Sequence, residues 1–563
     1  MQLKDGQPET QIERVWLKSY PPGVPAEINP DAYHSIVDVM QQTCLRFHDK
    51  PAYANMGIHL SFSDLDRLSR DFAAYLQQVL HIKKGDRFAI MLPNVLQYPV
   101  AMLGILRAGG VVVNVNPLYT ADELSHQINN SGAVGILILE NFADTLQKAL
   151  PSMPGLKHVV MTKLGDLFPA YKAWMVHFAL KYIYRKIPTY TLPMAIAFKT
   201  SLAKGKAVRL DPVALTGEDT AFLQYTGGTT GVAKGAILTH RNIIANLQQA
   251  DAWFKGLLNG NQEIIITALP LYHIFSLTAN GLFFSKMGGL NVLITNPRDL
   301  PSMIKDMSRY PFTTLSGVNT LFNGLLKNPN FAKLDFSHLR LTLGGGMAVQ
   351  KVVAERWQTV TGAPLLEAYG LTETSPCVTI NPWTLKAYNG SIGLPVSSTL
   401  VAILDEKGQA LPLGQAGELA VKGPQVMKGY WQNPEETAKV FTQDGWLLTG
   451  DMATMDEHGY VRLLERKKDM ILVSGFNVYP NEVEGVIARL PGVKECAVIG
   501  VPDENSGEVV KAFIVKDNPD LTAEAVIAFC RQYLTGYKMP KHVEFRDELP
   551  KTNVGKILRR ALH

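Results

Sequence analysis

The sequence predicts an α/β protein: a large N-terminal part of two α/β subdomains and a small β-barrel-like subdomain, followed by a small α+β C-terminal part. Three observations carry this expectation. Short continuous apolar runs alternate with helical stretches over much of the chain, as in parallel strands covered on both faces. After about Ser397 the texture changes to short strands with Asp/Gly turn punctuation, the pattern of antiparallel hairpins. The charged run ERKKD (465–469) then precedes a last block with its own strands and helices.

Taken in order, FAIML (88–92) reads as a strand, Val95 to Arg107 as a helix, VVVNV (111–115) as a strand, the stretch from Ala121 as a helix and VGILIL (134–139) as a strand. A second α/β unit follows from EIIITAL (263–269), NVLIT (291–295), LRLTLGG (339–345) and PLLEAYG (364–370). TLVAIL, GELAVKG (417–423) and YVRLL, separated by DEKG (405–408) and DEHG (456–459), form the small β unit. The last block has helices near Glu482 to Arg489 and Ala523 to Leu534, with strands at CAVIGV and VKAFIV. The uncharged run from Ile264 to Ser285 is long enough to span a bilayer, but Pro270, His273, Asn280 and Gly281 inside it favour a buried strand, loop and helix.

The chain has 563 residues, 46% of them hydrophobic and 19% charged, with 55 Lys+Arg against 50 Asp+Glu and a net charge of +5. That length gives room for about three or four globular units. Its composition excludes a disordered chain, and the dilute positive charge excludes a dedicated nucleic-acid binder while suiting acidic small molecules. Cys44, Cys377, Cys496 and Cys530 are scattered, without a CxxC pair, against a disulfide framework or a zinc site and in favour of a reducing cytosol. The N-terminal segment MQLKDGQPETQIERVW lacks the apolar core of a signal peptide. Between Asp166 and Arg209, Phe168, Tyr171, Trp174, Phe178, Tyr182 and Tyr184 interleave with Lys172, Lys181, Arg185 and Lys186. Such a stripe either packs on its own protein or docks on an anionic membrane face, and the sequence leaves both open.

The chemistry is concentrated in YTGGTTGVAKG (225–235). Its glycines and threonines supply backbone N–H and hydroxyl donors, and Lys234 adds a point charge suited to phosphate oxygens. No Gly-Lys-Ser/Thr closes the loop, so it is not a Walker A motif. The same chain carries PLYHIF (270–275), GGGM (344–347), EAYGLTETSP (367–376), LLTGD (447–451), ERKKDMILVSGFNVYP (465–480) and PKTNVGKILRR (550–560). In this order the motifs resemble those of the adenylate-forming superfamily of acyl-CoA synthetases, luciferases and peptide adenylation domains. Within it the chain looks most like the bacterial long-chain fatty acid:CoA ligases, through DGWLLTGDMATMDEHGYVRLLERKK (444–468), LSGVNTLFNGLL (315–326) and LTGYKMPKHVEFRDELPKTNVGKILRR (534–560).

The resemblance implies an AMP-forming ligase with ATP and CoA as co-substrates, a fatty acid as acyl donor and Mg²⁺ as cofactor. It implies a nucleotide-binding part over 1–467 and a mobile lid over 468–563. Tyr225, Thr226, Gly227, Gly228, Thr229, Thr230, Gly231 and Lys234 would cradle the phosphates, Thr372 would contact the phosphoryl group, and Glu373 with Thr226 would hold Mg²⁺. Tyr369 would lie against adenine, with Gly345, Gly346 and Gly370 allowing close backbone approach. Asp451 and Arg466 match the ribose positions, and Lys556 the adenylation lysine. Lys468 matches the hinge, Gly475 the pantetheine tunnel and His273 a gate beside the acyl site. Lys551, Arg559 and Arg560 read as solvated cations, Cys377 as a buried small residue, and Glu465 stands where related sequences usually carry Asp. The expected location is cytoplasmic, with peripheral contact at the inner face of the cytoplasmic membrane; a homodimer is left open. The other readings are an aryl or short- to medium-chain acid ligase of the same superfamily and a noncatalytic fatty-acid-binding, membrane-docking protein.

Overall fold

The computed structural model describes residues 13–226, 233–258, 263–503, 506–552 and 555–562. Two large sheets form the body. The first has seven strands in the order Ala195–Ala197, His158–Thr162, Gly135–Leu139, Arg87–Met91, Val111–Asn114, Thr220–Thr226, Lys234–Thr239. All neighbours are parallel except the last pair, a hairpin that brings Thr226 opposite Lys234. The second sheet has nine strands. Its parallel centre runs through Leu365–Gly370, Leu341–Gly344, Thr314–Gly317, Ile264–Thr267, Leu290–Leu293 and Pro51–Asn55. The N-terminal strand Pro51–Asn55 therefore belongs to the second sheet, beyond the reach of a linear reading of the chain.

Local signals fix the helices between these strands. Thr120 and Glu123 form a reciprocal capping box at the start of Ala121–Ser131, and Gly132 ends that helix in a left-handed conformation that costs glycine nothing. Helix Gln97–Arg107 is buried along its whole length, as a helix wedged inside a core must be. One apolar cluster joins Phe88, Ile90 and Leu137 of the first sheet to Tyr53, Ile265 and Leu341 of the second. The two sheets thus share a core. The run from Ile264 to Ser285 is a buried strand, a loop, a wide π-helical turn Ser276–Leu282 and the start of helix Phe283–Lys286. Among the described residues no helix is long and apolar enough to cross a membrane.

The small β unit is a four-stranded antiparallel meander, Leu400–Leu404, Gly417–Lys422, Leu447–Met455 and Val461–Arg466, with the first and last strands at its two edges. The C-terminal part has its own sheet, in which Gly507–Lys516 pairs with Ile471–Val473, Val493–Asp503 and His542–Phe545. Helices Pro480–Ile487 and Ala523–Cys530 pack with that sheet around Val483, Ile487, Val498, Ile514 and Val526. The C-terminal part thus has a core of its own.

The aromatic stripe divides. Phe168 is buried, but along helix Ala170–Phe178 and the turn after it Trp174 is 67% exposed and Tyr182 60%. Trp174 stacks on Phe178 at a ring separation of 5.4 Å, and Phe178 meets Tyr182 in a tilted contact at 5.1 Å.

Candidate active site

A cleft of about 1850 Å³ opens where the large body, the meander and the C-terminal part meet. Its floor is made by the carboxyl ends of parallel strands, where ligands of open α/β sheets bind. Tyr225 and Thr226 end one strand, Gly345 and Gly346 follow another, and Tyr369 and Gly370 end a third. Thr372 and Glu373 sit on the short 3₁₀ turn just beyond. Gly227, Gly228, Thr229, Thr230 and Gly231 lie outside the described residues.

The centre of the cleft is a charged chain. Asp451 and Arg466 are directly opposed on neighbouring strands of the meander. Arg466 Nε lies 2.8 Å from Asp451 Oδ1, while Tyr369 Oη donates to Asp451 Oδ2 at 2.5 Å. Tyr369 and Asp451 are buried. Burial works against the Arg466 charge, but Asp451 and the other acidic groups around it raise its pKa above the usual value. Burial and the Asp451 carboxylate likewise push the Tyr369 phenol well up, so it stays a neutral donor.

Beside this chain, Glu373 Oε1 accepts a hydrogen bond of 2.7 Å from Tyr430 Oη. Among the described residues its second oxygen has no hydrogen-bond partner. A carboxylate in a cleft that Thr226 also lines suits Mg²⁺, which usually takes one or two carboxylates and completes its octahedron with phosphates and water. No group of three or more His, Cys, Asp and Glu able to cage a metal occurs among the described residues. Lys234 pairs with Glu436 and lies 5.4 Å from the centre of the Tyr430 ring. Neither Tyr430 nor Glu436 was foreseen from sequence; both come from the loop and helix entry at GYWQNPEE (429–436).

The glycines have two distinct causes. A Cβ on Gly370 would lie 1.9 Å from the Pro376 carbonyl oxygen, and one on Gly345 2.9 Å from the Phe275 ring and 3.0 Å from the Ala368 carbonyl oxygen. Close packing of the protein itself demands glycine at both positions. Gly346, at φ +77°, has no atom nearer than 3.7 Å to such a Cβ, so its requirement is the left-handed backbone and the space over it stays open.

Lys556 enters this cleft from the C-terminal part and is open to the water that fills it. Enclosure by the surrounding protein, and then the Arg466 guanidinium, lower its ammonium to about 8. His273 faces the same space. Burial, and then the Lys556 charge, push it down to about 4, so the imidazole is neutral, and its Nδ1 accepts from the Phe275 N–H at 3.3 Å. Part of the cleft lining is apolar, including Ala250, Phe254, Phe283, Phe284 and Leu341. Cys377 lines the cleft, and burial pushes its thiol up to about 12, which keeps it protonated.

Two expected site residues stand apart. Lys468 lies in the exposed turn after Val461–Arg466 and touches the cleft edge. Gly475 is on an exposed hairpin at φ +83°, with no neighbour within 4 Å of its Cβ position and outside the cleft lining. Lys556 and Gly475 thus face different places in this arrangement. The expectation of solvated cations near the C-terminus is corrected for Arg559, a largely buried member of an ionic cluster with Glu465 and Glu484, whereas Lys551, paired with Glu495 at 2.6 Å, and Arg560 are exposed. The signal lay in acidic partners dozens of residues away in the chain, which a local reading cannot match.

Residues 40–431 match the AMP-binding enzyme family and residues 482–556 the AMP-binding enzyme C-terminal domain. The chain is 59% identical to a long-chain-fatty-acid–CoA ligase of Yersinia pestis and 38% identical to one of Bacillus subtilis, each over 98% of both chains. Among solved structures, the ATP-bound MatB of Rhodopseudomonas palustris aligns over 93% of this chain and 98% of its own, with a TM-score of 0.80 and 29% identity. The anthranilate CoA ligase AuaEII with anthranoyl-AMP shares the fold at a TM-score of 0.83 and 24% identity, over 94% of this chain and 96% of its own. The chain therefore belongs to the AMP-binding enzyme family of the adenylate-forming superfamily.

Proposed function

We propose that this chain is an AMP-forming long-chain fatty acid:CoA ligase, as curated relatives 57 to 59% identical to it are named. In the first half-reaction a fatty-acid carboxylate oxygen bonds to the α-phosphorus of ATP as the bond to the pyrophosphate oxygen breaks. In the second, the CoA sulfur bonds to the acyl carbon as AMP leaves. The observation that supports this best is that Lys556, the Tyr369–Asp451–Arg466 chain and a set of apolar side chains line one cleft, the apolar set being on this reading the branch that takes the acyl chain.

Each residue then has a task. Asp451 accepts from ribose hydroxyls and holds the Arg466 guanidinium, whose planar fork offers further donors. Tyr369 lies against adenine. Thr226, residues 227–231, Lys234 and Thr372 bind the phosphates; Lys234 exchanges Glu436 for a phosphate when nucleotide enters. Lys556 brings positive charge to the two anions that must approach one another, where the reaction concentrates negative charge. Glu373 and Thr226 would hold Mg²⁺, which supplies charge neutralisation at the phosphates. His273, neutral and at the mouth of the apolar branch, excludes water from the acyl path without adding charge.

Residues 1–467 and 468–563 act as two bodies, the second turning about Lys468 so that Gly475 replaces Lys556 for the CoA step. The exposed Trp174–Phe178–Tyr182 series, with Lys172, Lys181, Arg185 and Lys186 in the same stretch, docks on the anionic inner face of the cytoplasmic membrane, where the substrate partitions. Release of AMP and formation of thioester over acids of increasing length test the assignment. Long-chain acids should be preferred, and activity confined to acetate or aromatic acids would overturn it.

A further inference from the structure

Arg559 lies three residues beyond Lys556 and makes contacts that a surface cation does not. Its Nη1 bonds Glu465 Oε1 at 3.0 Å and lies 3.7 Å from Asp469 Oδ2. Nε and Nη2 reach Glu484 at 2.9 to 3.2 Å, and Nη2 also donates to Asn481 Oδ1 at 2.8 Å. Glu465 is only 3% exposed. Its Oε1 also accepts from the Arg466 N–H at 2.9 Å, and its Oε2 from the Asn481 N–H at 3.0 Å. Burial raises the pKa of both Glu465 and Glu484, but the guanidinium between them opposes that shift.

Chain order divides these contacts into two classes. Glu484 and Asn481 follow Lys468 in helix Pro480–Ile487 and belong to the same body as Arg559. Glu465 precedes Lys468 and lies in the strand Val461–Arg466, next to Arg466 at its end. A rotation about Lys468 would carry Arg559, Glu484 and Asn481 together and leave Glu465 behind. Thr320 Oγ1 of the large body also donates to the Gly555 carbonyl at 3.1 Å, immediately before Lys556. Thr552 Oγ1 accepts from the Lys556 N–H at 3.1 Å, and the Thr552 N–H donates to the Lys556 carbonyl at 2.7 Å.

We infer that Arg559 is a positioning residue for Lys556, and that its bond to Glu465 holds the adenylation arrangement and is broken for the CoA step. This rests on the ligase reading above. Glu465 therefore ties two cations to the reaction: Arg466 through the adjacent backbone and Lys556 through Arg559. A planar guanidinium is suited to the role, because its separate N–H donors serve Glu465 and Glu484 together in fixed geometry. Lys in its place would be a single point charge.

The test uses the full-length protein with Glu465→Gln, which keeps size and an acceptor but removes the charge, and with Thr320→Val at the second anchor. Pyrophosphate exchange reads the first half-reaction; thioester formation from preformed acyl-adenylate reads the second. Both variants should lower kcat for adenylation by roughly 10- to 100-fold, the range that a misplacement of about 1 Å costs. KM for ATP should stay within about twofold, and thiolation should be unchanged or faster. Equal loss in both half-reactions would make the cluster a structural staple and overturn the inference, as would unchanged adenylation in Glu465→Gln. Wild-type protein that forms no acyl-adenylate would instead overturn the ligase reading itself.

Discussion

Replacing Asp451 by Asn is the sharpest perturbation of the nucleotide site. The change keeps the shape of the side chain and removes one charge from a buried carboxylate held by Arg466 Nε at 2.8 Å and Tyr369 Oη at 2.5 Å. Breaking a fully buried ion pair by removing one partner costs about 3–5 kcal/mol, and a hydrogen bond to a charged group contributes about 1.5–3. The Arg466 side chain is 32% exposed to cleft water, which screens part of that cost. The upper part of the hydrogen-bond range, on the order of 2–3 kcal/mol, is therefore the expected loss. If it falls on ATP recognition, kcat/KM for ATP in pyrophosphate exchange drops about 30- to 150-fold. The KM for the fatty acid should change little, because the apolar branch is lined by other residues. An ATP kcat/KM within about threefold of wild type would refute the assignment of Asp451 and Arg466 to the nucleotide.

Three further outcomes follow from packing and protonation. Gly370→Ala puts a Cβ 1.9 Å from the Pro376 carbonyl oxygen, where only backbone movement can relieve the clash; a destabilisation of about 1–3 kcal/mol or more is expected as a lower melting midpoint, and an unchanged midpoint would contradict it. Burial pushes the Glu367 carboxyl up from 4.5 to about 8. The folded state then holds a proton that the unfolded state releases, so stability declines as pH rises through that window, by about 1.4 kcal/mol per unit at most. Glu367→Gln should gain melting temperature over wild type between pH 5.5 and 8.5, and parallel curves would contradict the assigned protonation. Lys556, lowered to about 8, is charged only below that pH, so kcat/KM for adenylation should fall above about pH 8; a decline that begins only near the ordinary lysine value would show the depression to be absent. His273, neutral above about 4, adds no inflection near neutrality.

The strands were legible because they are buried on both faces and so read as continuous apolar runs: Gly135–Leu139 and Val111–Asn114 are buried throughout. The strand Pro51–Asn55 was not, since it is short, begins with proline and takes its place from pairing with Leu290–Leu293, far along the chain. Tyr369, Asp451, Arg466 and Lys556 could be named only through the ordered motifs they sit in. Their hydrogen bonds join distant segments, and no local periodicity encodes such distances. The partners of those residues were harder still. Glu436 beside Lys234 and Glu465 beside Arg559 carry ordinary charges in ordinary charged runs, and only the fold separates a buried pair from a solvated one. The aromatic stripe over 170–184 was undecidable for the opposite reason, because helical spacing is the same whether a face meets protein or solvent.

The most direct measurement of the central claim compares Lys556→Ala with wild type in the two half-reactions separately. Loss of a preorganised charge at the reacting phosphate should lower acyl-adenylate formation by about 10²–10³. Thioester formation from preformed acyl-adenylate should stay within about threefold, because Lys556 would leave the cleft before that step. Equal losses in both, or adenylation that survives the substitution, would contradict the account.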